Sequence, residues 1–123
     1  MKPLHTLTGS AKARLLHELF PGEIKGFIKY LREYSSHFCG HAEHYREQWK
    51  NGFLSFDYWL SLSGETTRLL ERYEHDMTRN SKVFAEQLYF GYTGLFVTDC
   101  IVKYAERVST DEKFKLTVLA FFT

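Results

Sequence analysis

Three histidines, His37, His41 and His44, are spaced four and three residues apart, the interval at which side chains share one face of an α-helix. Imidazoles placed in this way can share a zinc or other divalent ion, which makes the stripe the sharpest chemical feature of the chain. A fuller ligand set needs a group from another segment, and Glu71, His75 and Asp76 are the candidates for reaching across a bundle. The pattern differs from that of di-iron bundles, because Glu33 to His37 and Glu71 to His75 are four apart where those sites use Glu-x-x-His. The competing and preferred reading sets the three rings at the boundary of core and solvent, apolar edge inward and nitrogen outward.

Other reactive side chains stand alone. Asp99 is an acid inside the most apolar segment, next to Cys100. If buried, it needs a partner, since an unpaired carboxylate in a core is costly or becomes protonated. A structural hydrogen bond or ion pair is therefore expected, ahead of a catalytic acid or base. Cys39 and Cys100 lack a Cys-x-x-Cys motif and read as small buried apolar groups in the reduced state. No reaction-specific motif is present, so no catalytic residue is assigned and the chain leans away from enzymes. Gly91 and Gly94 lack the Gly-Lys-Ser/Thr run of a phosphate loop. Lys25, Lys29 and Arg32 share a helix side but are bracketed by Glu23 and Glu33, which predicts a solvated face.

Composition narrows the class further. With 16 Lys plus Arg against 15 Asp plus Glu, the net charge of +1 provides no strong field for nucleic acid or anionic lipid. Met1-Lys2-Pro3-Leu4-His5 is not followed by an apolar signal-peptide stretch, and Glu86, Asp99 and Lys103 interrupt the most apolar region. The expectation is a soluble cytoplasmic protein with no nucleic-acid or membrane partner. The 123 residues fit a single domain over 1–123. Aromatic content is the one surplus: 11 Phe, 8 Tyr and 2 Trp can fill a helical core, line a groove or build an interface.

Positioning these residues requires helices. Phe84, Leu88, Gly91, Leu95, Thr98, Val102 and Ala105 recur at alternating steps of four and three, predicting a central helix over about 81–108 with that stripe buried. Phe90, Phe96, Val97, Ile101 and Tyr104 make its other sides apolar as well. Gly91 and Gly94 then sit in mid-helix and let a neighbour approach, so that Gly91→Leu is expected to overpack at a cost of roughly 1–3 kcal/mol. Ile24, Ile28, Leu31, Ser35, Phe38, Ala42, Tyr45 and Trp49 hold the same register through Gly40, predicting one helix over about 22–50. A third long helix, about 56–79, is capped by Ser55 and carries Trp59, Leu62, Thr66, Leu69, Tyr73 and Met77. Residues 1–9, with Pro3 and Gly9, read as a lead-in to a short helix capped by Ser10. Pro21 suits the first turn of the next helix, and Asn80 or Ser81 caps the central one. Ser109 and Glu112 have the spacing of a capping box for a last short helix. The predicted fold is all-α: an antiparallel bundle of three long helices (about 22–50, 56–79 and 81–108) with short N- and C-terminal helices.

The segments Leu4-His5-Thr6-Leu7-Thr8-Gly9-Ser10-Ala11-Lys12, Leu19-Phe20-Pro21 and Trp49-Lys50-Asn51-Gly52 resemble small uncharacterised all-helical proteins of bacterial conjugative and other mobile elements. That resemblance implies a bacterial accessory protein and transfers no site. The functional expectation is a non-enzymatic helical protein acting by protein–protein contact or self-association, with Tyr89, Tyr92, Phe121 and Phe122 as aromatics able to form an apolar patch. Its alternatives are a metal-binding bundle using the histidine stripe, with a divalent ion such as zinc as cofactor, and a binder of small apolar ligands.

Overall fold

The computed structural model describes residues 7–89 and 91–123. The lead-in over residues 1–6, with Pro3, and the place given to Phe90 on the central helix lie outside them. The described residues contain seven helices and no strand: α1 (Gly9–Leu19), α2 (Pro21–Gly40), α3 (Ala42–Gln48), α4 (Phe56–Arg79), α5 (Ser81–Tyr89), α6 (Gly94–Arg107) and α7 (Glu112–Phe122). The all-α class holds, whereas two of the three long helices are each divided.

The first division falls at Gly40–His41. His41 leaves helical geometry, with φ −123° and ψ 38°, and its ring Nδ1 joins its own backbone N–H in donating to the His37 carbonyl. A side chain that competes for a helical carbonyl favours chain reversal over propagation, and the adjacent glycine lowers the cost of bending. The helix predicted over 22–50 is therefore two helices. The second division, in the segment predicted as 81–108, surrounds Gly91, which has φ +99°. That left-handed conformation is characteristic of a helix terminus, and the buried Thr93 hydroxyl donates to the Leu88 carbonyl at 3.0 Å in place of a lost helical bond. Among the described residues nothing lies within 4 Å of a Cβ at Gly91, so a side chain there meets conformational strain instead of the expected overpacking.

The joint also shifts the buried register. Phe84, Leu88 and Ala105 are buried as predicted, but beyond the turn α6 also buries Phe96, Val97, Cys100, Ile101 and Tyr104. Leu95 is 48% exposed and Val102 is only half-buried. The turn around Gly91 breaks the four-three step, and the stripe restarts about one position over.

Caps follow local chemistry. Thr8, and not Ser10, accepts from Ala11 N at the start of α1. Ser55 caps α4 and Asn80 caps α5, as predicted. Asp111 caps α7 through Phe114 N, while the Ser109 hydroxyl is drawn to the Glu23 carboxylate at 3.1 Å, so the Ser109–Glu112 capping box does not form.

The pairing of side chains orients the helices. Along α2, Arg32 meets Glu74, Ser35 meets Thr67 and Phe38 meets Phe56, so α4 runs opposite to α2. Glu23 and Phe27 meet Tyr104, whereas Tyr34 and Phe38 meet Phe96. Helix α6 therefore also opposes α2. His17 against Phe84 and Glu18 against Ser81 set α1 along α5. One core cluster joins all helices except α3, which contributes the partly buried Ala42 and Tyr45 to its edge.

Candidate functional site

The structure separates the metal candidates. His37 and His41 are brought together, rings stacked with centroids 4.2 Å apart. His44 lies past the bend and packs edge-on against Tyr45 at 5.5 Å. All three histidines are exposed. The Nδ1 atoms are already engaged, His37 with the Tyr45 hydroxyl at 2.9 Å and His41 with the His37 carbonyl at 3.0 Å. In stacked rings the in-plane lone pairs run side by side and do not converge on one point. Glu71, His75 and Asp76 stand at the other end of the α2–α4 pair: Cys39 is opposite Ser63, and Glu71 is two turns further on, about 12 Å along the axis. Among the described residues no group of three His, Cys, Asp or Glu is placed to hold a metal ion.

A different constellation forms on the face where α2, α3, α4 and α6 meet. The bend at His41 turns α3 so that Tyr45 stacks on Phe38 at 4.7 Å. Trp49 then reaches Phe56 at 5.8 Å and Trp59 at 6.1 Å, while its indole N–H donates to the Leu54 carbonyl at 2.9 Å. Trp59 and Phe38 both pack on Phe96, at 5.3 and 6.5 Å. Arg46, paired with Asp57 at 2.9 Å, lies over the Phe56 ring and seals the outer edge. The open side of this aromatic assembly is a cleft of about 420 Å³, walled by Tyr34, Phe38, Tyr45, Trp49 and Trp59.

Polar groups occupy one lip. Asp99 is half-exposed there and pairs with Lys103 at 2.9 Å, which meets the expectation of an ion pair for this residue. Lys103 Nζ lies 5.2 Å from the centroid of the Tyr34 ring and 3.4 Å from its hydroxyl. Burial opposes the charge on Lys103, but the hydrogen bond to Asp99 and the neighbouring Tyr34 outweigh it and hold the pKa above the ordinary lysine value. Burial raises the Tyr34 pKa, with Lys103 acting in the opposite direction. A firmly protonated amine held by a carboxylate is a fixed dipole, poorly suited to accept a proton. Lys103 and Tyr34 were not singled out by sequence reasoning. The available signal was the four-residue Asp99–Lys103 spacing on one helix.

The cleft continues into a second groove of about 400 Å³, with which it shares Asn51, Trp59 and Asp99. Leu54, Leu95, Thr98, Val102, Phe122 and Thr123 complete that groove. Leu95, Thr98 and Val102 of the predicted buried stripe thus form one of its walls. Of the aromatics expected at a patch, Phe122 is half-buried in this groove and Tyr92 is exposed, whereas Tyr89 and Phe121 are buried. A larger concavity of about 660 Å³ lies between α4 and the Gly91 turn. Its charged lining residues are Glu65 and Glu86, and Glu65 is already bonded to Arg68. The basic residues Lys25, Lys29 and Arg32 are exposed as predicted, and Arg32 is bound to Glu74.

No family model matches the chain, and no curated protein and no solved structure is significantly similar to it. Among the described residues, no helix is long and apolar enough to cross a membrane.

Proposed function

We propose that this chain is a non-enzymatic helical accessory protein that works by protein–protein contact, using the aromatic cleft and the apolar groove beside it. The observation that carries this reading is the wall of α6: Leu95, Thr98 and Val102 continue the apolar pattern of a buried helix but face a groove open to solvent. Contiguous apolar surface of this kind favours association, and Trp and Tyr supply large contact area at low entropic cost. The resemblance to mobile-element proteins supports an accessory role in a bacterial host.

A photo-crosslinking amino acid placed at Leu95, in cells expressing the protein, tests the reading, with the same probe at exposed Arg72 as control. Protein adducts are expected at Leu95 and not at Arg72. Equal yields at the two positions, or none at either, would overturn it. A second reading, binding of a small apolar ligand, is favoured by the size of the cleft, which lies in the range of ligand pockets. Native mass spectrometry of freshly purified protein separates the two, because a retained small molecule adds a discrete mass to the chain.

A further inference from the structure

Hydrogen-bond donors are left over where the cleft and the groove join. Of the two indoles, that of Trp49 donates to the Leu54 carbonyl. The N–H of Trp59, a residue only 8% exposed, makes no hydrogen bond among the described residues. An indole nitrogen donates and does not accept, so this group lacks an acceptor. It is not sealed off: among the described residues the Tyr89 hydroxyl is the only fully enclosed side-chain polar atom without a partner. The Trp59 N–H therefore keeps access to the spaces that its ring lines, the cleft and the groove. A recessed donor with no acceptor in its own chain is met from outside.

Asn51 stands at the same junction. Its carboxamide oxygen accepts from Phe53 N at 2.8 Å and from Leu54 N at 3.1 Å, which leaves its amide hydrogens without an acceptor among the described residues. The third residue common to both spaces, Asp99, is bound to Lys103 at 2.9 Å. That pair is complete in itself and asks for no counter-charge, so the groups still unmet at the junction are neutral donors. Apolar surface flanks them on both sides, with the rings of Tyr34, Tyr45 and Trp49 in the cleft and the alkyl groups of Leu95 and Val102 in the groove. The two spaces, about 420 and about 400 Å³, are of the size that takes a small molecule. A broad protein surface does not reach a donor recessed in this way, whereas a slender molecule does.

We propose that the junction binds an uncharged, amphiphilic small molecule with a carbonyl group, a ketone, ester or amide. Its oxygen accepts from the Trp59 indole, with the Asn51 amide as second donor, while a flat head lies among the cleft rings and an alkyl tail in the groove. This rests on the small-ligand reading above and gives that ligand its chemistry.

Valerophenone, in which a carbonyl joins a phenyl ring to a butyl chain, is the probe, titrated into the isotope-labelled full chain and followed by nuclear magnetic resonance. Two tryptophans give two indole N–H signals, and Trp59→Phe assigns them. The expected result is a saturable downfield movement of the Trp59 signal, larger than that of Trp49, whose N–H is already bonded. Trp59→Phe keeps an aromatic ring and removes the donor, and Asn51→Asp keeps an acceptor for both backbone bonds and removes the amide hydrogens. Each is expected to weaken binding by about fivefold, with circular dichroism showing that the helices remain. Phenylpentanoate, of similar size but anionic, should bind at least about tenfold more weakly than the ketone. A Trp59 signal that stays still up to the solubility limit of the probe, a carboxylate that binds as tightly as the ketone, or a folded Trp59→Phe or Asn51→Asp protein that binds as tightly as the parent would overturn the proposal. The two readings fail separately. A small molecule retained in native mass spectrometry beside a motionless Trp59 signal sinks the carbonyl chemistry and keeps the small-ligand reading, whereas no retained mass and no movement sinks both.

Discussion

Burial decides the chemistry of individual side chains in this protein. Cys100 is fully buried, and burial, followed by the neighbouring Asp99 charge, pushes its thiol well above the usual range. Cys39 is half-buried and lies 3.3 Å from the Ser63 hydroxyl. A thiol must reach solvent as thiolate to react. A disulfide reagent should therefore titrate one thiol in the native protein and two in denaturant, with Cys39→Ser abolishing the native reaction. Rapid release of two equivalents without denaturant would contradict the burial of Cys100. Tyr89 presents the opposite problem: among the described residues its buried hydroxyl has no hydrogen-bond partner, and Thr98 nearby does not complete one. Removing an unpaired buried polar group relieves a desolvation cost on the order of 1 kcal/mol. Tyr89→Phe is expected to hold or raise the melting temperature, and a marked drop would reveal a bond to the hydroxyl.

Helices and their joints carry the next set of consequences. Gly64 lies inside α4 with nothing near the position of a Cβ, so Gly64→Ala should stabilise by roughly 0.5–1 kcal/mol. Gly91→Ala should instead destabilise by about 1–2 kcal/mol, because an L-residue resists φ +99°. Denaturant midpoints of the two variants should move in opposite directions. Register gives a sharper contrast: Val97→Lys buries a charge and should cost several kcal/mol, while Leu95→Lys, two residues earlier, should cost under about 0.5 kcal/mol. Reversed effects would restore the stripe read from the sequence. These positions also mark what was legible. Helix α4, the Pro21 start of α2, and the Ser55 and Asn80 caps follow from local spacing and capping chemistry. The breaks at His41 and Gly91 do not, because apolar periodicity passes through both without a slip. Only the competition of the His41 ring for a carbonyl, and the left-handed angle at Gly91, reveal them. The cleft was illegible for the same reason: it exists because α3 folds back, and it draws Trp49, Trp59 and Lys103 from positions 54 residues apart at the widest.

At the scale of the whole molecule, tyrosines bind the fold to pH. Tyr104 donates to Glu23 at 3.1 Å, and burial, then that hydrogen bond, lifts its pKa to about 12. Burial raises Tyr30, Tyr34 and Tyr89 too. For groups whose folded pKa exceeds the unfolded value near 10, stability is fully present below pH 10 and is lost as pH rises toward the folded pKa. Phenolate absorbance should accordingly appear in two steps, exposed tyrosines first, and the second step should coincide with loss of helical circular dichroism. Complete ionisation near pH 10 with helices intact would show these rings to be solvated.

The cleft has one more property, and it is optical. The only two tryptophans of the chain both stand in its wall, 6.1 Å apart. The tryptophan emission of this protein therefore comes entirely from the place where a partner or ligand would settle. Nature has left an unlabelled reporter there, and a change in colour or intensity on mixing would register occupancy as it happens.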